Sequence, residues 1–228
     1  MPLTNNVITI DGPAGSGKGT VAKIVAGSIG YSYLDTGAMY RTVAHAIKTN
    51  NVDINNGNKL KTFLSSIFIE IKKDNENSPR YFLNNKDVTD NIRTPEITMI
   101  SSDIAAIKTV RKYLVKLQRE IGASGNLVAE GRDMGTYVFP DAEYKFFLEA
   151  TVEERANRRY KEIIEKKIDI KISYEDVLED IKNRDKQDRE RKESPLHPAL
   201  NAVIIDTTNL TPNEVVGKIL KTLEASSI

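Results

Sequence analysis

Residues 11–20 read Asp-Gly-Pro-Ala-Gly-Ser-Gly-Lys-Gly-Thr, with the apolar run Val7–Ile10 before them and an amphipathic helical pattern after. Glycines at this spacing let a chain curl until consecutive backbone N–H groups point at one anion. The helix start behind the turn adds partial positive charge, and a lysine there places an ammonium among the β- and γ-phosphates. Gly12, Pro13, Ala14, Gly15, Ser16, Gly17, Lys18, Gly19 and Thr20 therefore read as a loop that cradles a nucleoside triphosphate. A plain strand–turn–helix junction would need the glycines but neither Lys18 nor Thr20. Where the general motif ends Gly-Lys-Ser/Thr, this chain has Gly19, and the hydroxyl comes one residue later. A magnesium ion would then rest on phosphates and water, with Thr20 through water or a distant carboxylate, and with no direct protein ligand assigned.

Transfer of a phosphoryl group to a second nucleotide brings two polyanions together, so fixed cations must offset the repulsion. Arg41 follows Asp35-Thr36-Gly37. Arg132 stands between Gly131 and Asp133, just past the apolar run Leu127–Ala129. Arg155, Arg158 and Arg159 share one helical pattern, and Arg184, Arg189 and Arg191 share another. Solvated helix faces with internal ion pairs would also account for the last two groups. For Arg132, at a strand end, ligand contact is the stronger expectation.

The elements that must position these groups alternate. Strand-like runs occur at 7–11, 31–35, 126–130, 143–148 and 202–206. Helical patterns lie at 18–29, 36–49, 95–121, 151–167, 173–192 and 211–225. Capping chemistry marks several starts: Thr151 with Glu154, Ser173 with Asp176, and Thr211-Pro212 with Glu214. Such alternation predicts an α/β fold with a central parallel five-stranded sheet flanked by helices, and ligands beyond the carboxyl ends of its strands. Residues 67–93 break the rhythm. Ile67–Lys72 and Arg80–Leu83 read as short strands with a tight turn at Asn84-Asn85-Lys86, which predicts a small antiparallel insertion or, alternatively, a decorated loop without a binding role.

The 228 residues carry a net charge of +1, 39% hydrophobic residues and no cysteine. Disulfides, thiolate catalysis and cysteine zinc sites are excluded, and a reducing compartment fits. Two histidines make a histidine metal site or triad a poor expectation. The near-zero charge disfavours non-specific nucleic-acid binding. No stretch approaches the ~18 apolar residues of a membrane span, and the N-terminus lacks a signal pattern. The expectation is a soluble cytoplasmic monomer without nucleic-acid or membrane partners.

Gly-Lys-Gly-Thr at 17–20 resembles the nucleoside monophosphate kinases more than GTPases or motor ATPases. The blocks Leu-Asp-Thr-Gly-Ala-Met-Tyr-Arg (34–41), Ile-Arg-Thr-Pro-Glu (92–96), Glu-Gly-Arg-Asp-Met-Gly-Thr (130–136), Val-Phe-Pro-Asp-Ala (138–142), Arg-Asp-Lys-Gln-Asp-Arg (184–189) and Asp-Thr-Thr (206–208), in this order, resemble the bacterial cytidylate kinases. The resemblance implies one P-loop kinase domain. Its core with the acceptor-site helices would comprise 1–62, 94–152 and 171–228, with the inserted sheet at 63–93 and a short lid at 153–170. It implies ATP and Mg²⁺, with CMP and dCMP as acceptors. Lys18, Arg132, Arg155 and Arg159 would be catalytic. Arg41, Arg132 and Arg191 would hold the acceptor phosphate, and Ser102, Arg111 and Asp133 would read cytosine. Arg184 and Asp188 would contact the sugar, Tyr40 would pack near the nucleoside, and Thr36 would line the acceptor site.

Cytosine presents an amino group where uracil presents a carbonyl, so a carboxylate at Asp133 accepts from one and repels the other, a discrimination of up to ~10⁴-fold. Ala14 departs from the family, which often has serine there, and backbone N–H groups, water and the arginines are expected to serve instead. The alternatives are a kinase for UMP or AMP and, from another class, a GTP- or ATP-dependent switch. Such a switch would read guanine with Asn-Lys-x-Asp, but Asn85-Lys86-Asp87-Val88 lacks the final Asp.

Overall fold

A computed structural model of the chain describes residues 6–75, 78–165 and 172–225. The expected lid segment 166–170, residues 76–77 of the insertion, and the core's 1–5, 171 and 226–228 lie outside the described residues. In chain order the elements are β1 (Val7–Asp11), α1 (Lys18–Ile29), β2 (Ser32–Asp35), α2 (Thr36–Thr49), α3 (Gly57–Ser66), β3 (Ile69–Lys73), β4 (Pro79–Leu83), β5 (Lys86–Asp87), α4 (Pro95–Ile104), α5 (Lys108–Gly122), β6 (Leu127–Gly131), β7 (Tyr144–Glu149), α6 (Val152–Glu165), α7 (Tyr174–Glu190), β8 (Val203–Asp206) and α8 (Pro212–Ala225). They group into two compact units, one of residues 1–34 with 122–228 and one of residues 35–121.

The first unit is built on a five-stranded sheet in the order β2-β6-β1-β7-β8. β1 lies at its centre, parallel to β6 through Val7↔Leu127 to Asp11↔Gly131 and parallel to β7 through Ile8↔Tyr144 to Asp11↔Phe147. Every residue of β1 is buried, as expected of a strand covered on both faces. Ile8, Ile10, Val128, Phe146 and Leu148 of the sheet pack with Val21, Ala22 and Val25 of α1 and Val215, Val216 and Ile219 of α8. A second apolar cluster joins Ala156 and Ile163 of α6 to Val177 and Ile181 of α7, and the methyl of Ala14 sits in it. The strands all run parallel, but their order of addition reverses beside β1: the chain passes from β1 to β2 on one side, and from β6 past β1 to β7 and β8 on the other. Turns leaving β1 and β6 at their carboxyl ends thus open at the place where such sheets bind ligands.

The second unit contains the predicted insertion as a three-stranded antiparallel sheet, β3-β4-β5. Ile69↔Leu83 and Ile71↔Tyr81 are in register, and Tyr81 is wholly buried with its hydroxyl donating to the Asp35 carbonyl at 3.4 Å. Asn84 and Asn85 have φ of 48° and 65°, the left-handed pair that a two-residue hairpin turn requires. Asp35 caps α2 by accepting from Ala38 N at 2.8 Å, and Thr94 caps α4 with Pro95 in the first turn.

Two expectations are corrected in this unit. The continuous helix over 95–121 is α4 and α5 with a break at 105–107, where Ile107 N donates to Ile104 O and the Arg111 side chain donates to the Ala105 carbonyl. No glycine or proline marks that break. The helix α3 was not expected, although Asn56 caps it by accepting from Lys59 N and Leu60 and Leu64 bury one face at helical spacing.

Candidate active site

The phosphate loop leaves β1 under tight steric control. A Cβ on Gly12 would lie 2.1 Å from the Leu148 carbonyl oxygen, and one on Gly15 (φ 76°) would lie 2.8 Å from the Arg155 carbonyl oxygen. Side chains at either place would displace the backbone itself. Lys18 opens α1 and is only 8% exposed. Its ammonium donates to the Pro13 carbonyl at 3.1 Å and stands 4.0 Å from a Glu130 carboxylate oxygen. The Ser16 hydroxyl is buried and makes no hydrogen bond among the described residues, while Thr20 is exposed.

Glu130 is a residue that sequence reasoning left unassigned. It ends the apolar part of β6, is buried, and accepts from the Tyr33 hydroxyl at 3.5 Å. A carboxylate closing a buried strand beside a phosphate-loop lysine is the signal that would have marked it.

Beyond β6 the turn at 131–135 carries Arg132 and Asp133. Arg132 donates from Nε to Asp188 at 2.7 Å, and Arg191 lies 3.7 Å from both Asp188 and Asp133. Four of the expected acceptor residues therefore meet in one unit. Burial pushes the Asp188 carboxyl up, but Arg132, Arg191 and Lys18 together outweigh it and hold it below the usual carboxylate range. Burial likewise works against the Arg132 cation. Its pairing with Asp188 and the nearby Glu130 and Asp11 still leaves it more basic than a free arginine.

Asp11 anchors this turn from β1. Its two carboxylate oxygens accept from Met134 N at 2.9 Å and Gly135 N at 2.8 Å. Residues Met134–Val138 form a single π-helical turn, a form common at functional sites. Burial drives the Asp11 carboxyl up to about 6 despite those two bonds and the Arg132 cation.

The basic side chains of α6 and α7 divide. Arg155 is 4% exposed and fully engaged: it donates to Ala150 O, to Ala14 O at 3.1 Å and, through both terminal nitrogens, to Asp185 at 3.0 and 2.6 Å. It lies under the phosphate loop. Arg158 pairs with Glu154 and donates to Thr207, whose hydroxyl donates in turn to Ser16 O at 3.2 Å. Arg159 pairs with Glu162, and Arg184 with Asp180 one turn back. Asp185 and Thr207 are further residues at this site that residue patterning did not single out. Both lie in polar stretches where nothing local reports a partner far along the chain.

The remaining expected residues lie in the second unit. Arg41 pairs with Asp35 at 3.0 Å. The buried Arg111 guanidinium carbon sits 6.0 Å from the Tyr40 ring centroid, and the Ser102 hydroxyl donates to Thr98 O at 3.4 Å. Thr36 is buried in the first turn of α2.

A family model described as cytidylate kinase matches residues 8–225. The chain belongs to the cytidylate kinase family. It is 46% identical over 214 residues to a protein named cytidylate kinase from Carboxydothermus hydrogenoformans, covering 94% of this chain and 95% of that one. It is 48% identical over 222 residues to the cytidylate kinase of Bacillus subtilis, covering 96% and 97%. The crystal structure of an uncharacterized protein from Eubacterium ventriosum covers 96% of this chain and 98% of its own, with a TM-score of 0.54 and 12% identity, a likeness of fold alone.

Proposed function

We propose that the chain transfers the γ-phosphoryl group of ATP to CMP or dCMP, giving ADP and CDP or dCDP. Family membership supports the reaction class, and one geometric observation carries the mechanism. The lysine of a phosphate loop and the Arg132–Asp133 turn stand at the carboxyl ends of adjacent strands in one unit, and Asp188 and Arg191 join that turn in a partly buried ion cluster. An acceptor phosphate is already anionic at neutral pH, so a strong general base is not needed. Alignment and fixed charge supply the catalysis.

Lys18 would exchange its Pro13 carbonyl for phosphate oxygens and follow the group in transfer. Arg132 and Arg191 would hold the acceptor phosphate, with Asp188 fixing both guanidinium groups. Asp133 would accept from the cytosine amino group. Arg159, whose partner among the described residues is the partly exposed Glu162, would turn towards the phosphoryl group. The roles implied for Thr36, Tyr40, Arg41, Ser102, Arg111 and Arg184 belong to the same proposal, as do an acceptor-binding role for 63–93 and a lid at 153–170.

Magnesium fits the donor set, which offers hard oxygens at Glu130 and, through water, Thr20. No group of three or more acidic, histidine or cysteine ligands occurs among the described residues, so the ion would keep waters and phosphate oxygens. When bound it supplies charge neutralisation on the β- and γ-phosphates. No helix among the described residues is long and apolar enough to cross a membrane. A cytoplasmic monomer acting on small molecules is the working arrangement proposed.

The test is ADP release from ATP–Mg²⁺ with CMP, dCMP, UMP, AMP or no acceptor, with products identified. ADP and CDP together, confined to CMP and dCMP, is the expected result. Turnover confined to UMP or AMP would move the chain to another acceptor. Acceptor-independent ADP would indicate an ATPase, and binding without turnover would indicate a switch.

A further inference from the structure

The phosphate loop is held from outside by its carbonyl groups. Ala14 O accepts from the Arg155 guanidinium, and Ser16 O accepts from the Thr207 hydroxyl. No peptide bond among the described residues is cis. In a planar trans peptide the C=O of one residue and the N–H of the next point in opposite directions. A carbonyl fixed at Ala14 towards Arg155 of α6 therefore fixes the Gly15 N–H pointing away from Arg155. The Ala14 methyl reinforces this, because it is seated in the apolar cluster of α6 and α7.

Arg155 can do this only while it stays in place. It is 4% exposed, and both its terminal nitrogens are matched by the two oxygens of Asp185 on α7, a fork-to-fork pair that sets the plane of the guanidinium. The same guanidinium keeps a donor for Ala14 O.

We propose that Asp185 is a positioning residue for the triphosphate: through Arg155 it sets the orientation of the Ala14–Gly15 peptide and so the readiness of the loop to receive ATP. This rests on the proposed binding of ATP at residues 12–20. It assigns Arg155 a place beneath the loop, in contrast to an arginine that closes over the moving phosphoryl group. Asp185 touches neither substrate. Its removal weakens ATP binding while CMP, which the loop's outer carbonyls do not address, is bound as before.

A merely structural pair would behave differently, and a paired substitution separates the two roles. Removing one member of a buried ion pair is strongly destabilising, whereas replacing both with apolar residues of similar size recovers stability. Three proteins are compared: wild type, Asp185→Asn, and the double variant Arg155→Met with Asp185→Leu. The readouts are the thermal midpoint, the Kd of ATP–Mg²⁺ by calorimetry, and the KM of CMP.

For Asp185→Asn the midpoint falls by about 10 °C, the Kd of ATP rises about tenfold, and the KM of CMP stays within about threefold. In the double variant the midpoint returns most of the way while the Kd of ATP stays raised, because no donor reaches Ala14 O. If the single variant does not fold, the double variant still decides, by the same uncoupling of affinity from midpoint. The proposal is overturned if the Kd of ATP recovers together with the midpoint, if it never changes, or if the KM of CMP rises in parallel. Wild type that binds no ATP would instead remove the loop's assigned ligand, and the inference with it.

Discussion

Asp11 gives a prediction whose size follows from its surroundings. The side chain is 3% exposed, and burial raises its carboxyl from 3.8 to about 6, even though two backbone N–H groups donate to it. A rise of about 2 units corresponds to about 3 kcal/mol between protonation states. The folded carboxyl holds its proton more tightly than the unfolded one. Its stabilising contribution is therefore full below pH 3.8, declines as pH rises, and is gone once pH has passed about 6. With those two values, about 1.4 kcal/mol of it disappears between pH 5 and pH 8.

Asp11→Asn removes the titration. An amide offers one acceptor oxygen where the carboxylate offers two, so one N–H loses its partner at a cost of about 1–3 kcal/mol. That cost does not change with pH and drops out of the slope. Urea unfolding of both proteins from pH 5 to pH 8, in half-unit steps, gives the difference curve. Wild type minus variant should fall by about 1.4 kcal/mol, steepest below pH 6 and level above pH 7. A flat curve, or one that rises with pH, would refute a carboxyl held protonated by burial. Asp188, whose carboxyl is held low by Arg132, titrates in the opposite sense and cancels in the subtraction.

Three further outcomes are expected. Arg132→Ala should lower kcat at least ~100-fold while far-ultraviolet dichroism stays native, if its guanidinium holds the acceptor phosphate as proposed; near-normal turnover would take Arg132 out of the reaction. Asp133→Asn should reduce the preference for CMP over UMP in competing kcat/KM by at least ~100-fold, because an amide can satisfy either base edge. Gly12→Ala should abolish ATP binding measured by calorimetry, because its Cβ would fall 2.1 Å from the Leu148 carbonyl, a backbone atom that cannot swing aside; a Kd within threefold of wild type would disprove that steric account.

The parts of this fold that are legible in the sequence are those written locally. The buried run Val7–Asp11, the glycine spacing after it and the Asn84-Asn85 pair each specify a backbone conformation from adjacent residues, and each is found in its expected conformation. The caps at Ser173 and Thr211 likewise state their partners three residues away, and both bonds are present. Most of what stayed hidden depends on partners far along the chain. Nothing near Asp11 announces that its acceptors' donors are 123 and 124 residues distant. The spacing of Arg155, Arg158 and Arg159 indicates a helix face. It does not reveal that Arg155 is buried against Asp185 while Arg159 pairs within its own helix. The α4–α5 break is hidden for a different reason: its securing contact is local, from the Arg111 side chain to the Ala105 carbonyl six residues back, but no helix-breaking residue marks the joint.

The two apolar clusters of the first unit have a consequence for how the protein would fail on heating. The sheet cluster with α1 and α8 is large and central, whereas the α6–α7 cluster is small and includes Ala14. Small clusters open locally at a free energy well below that of global unfolding. When this one opens, the phosphate loop loses one wall while β1 and its neighbours remain intact. Catalytic failure would then precede melting. Residual activity after warming would decline before the dichroism signal moves, amide exchange in α6 and α7 would outpace that in β1, and bound ATP would slow both.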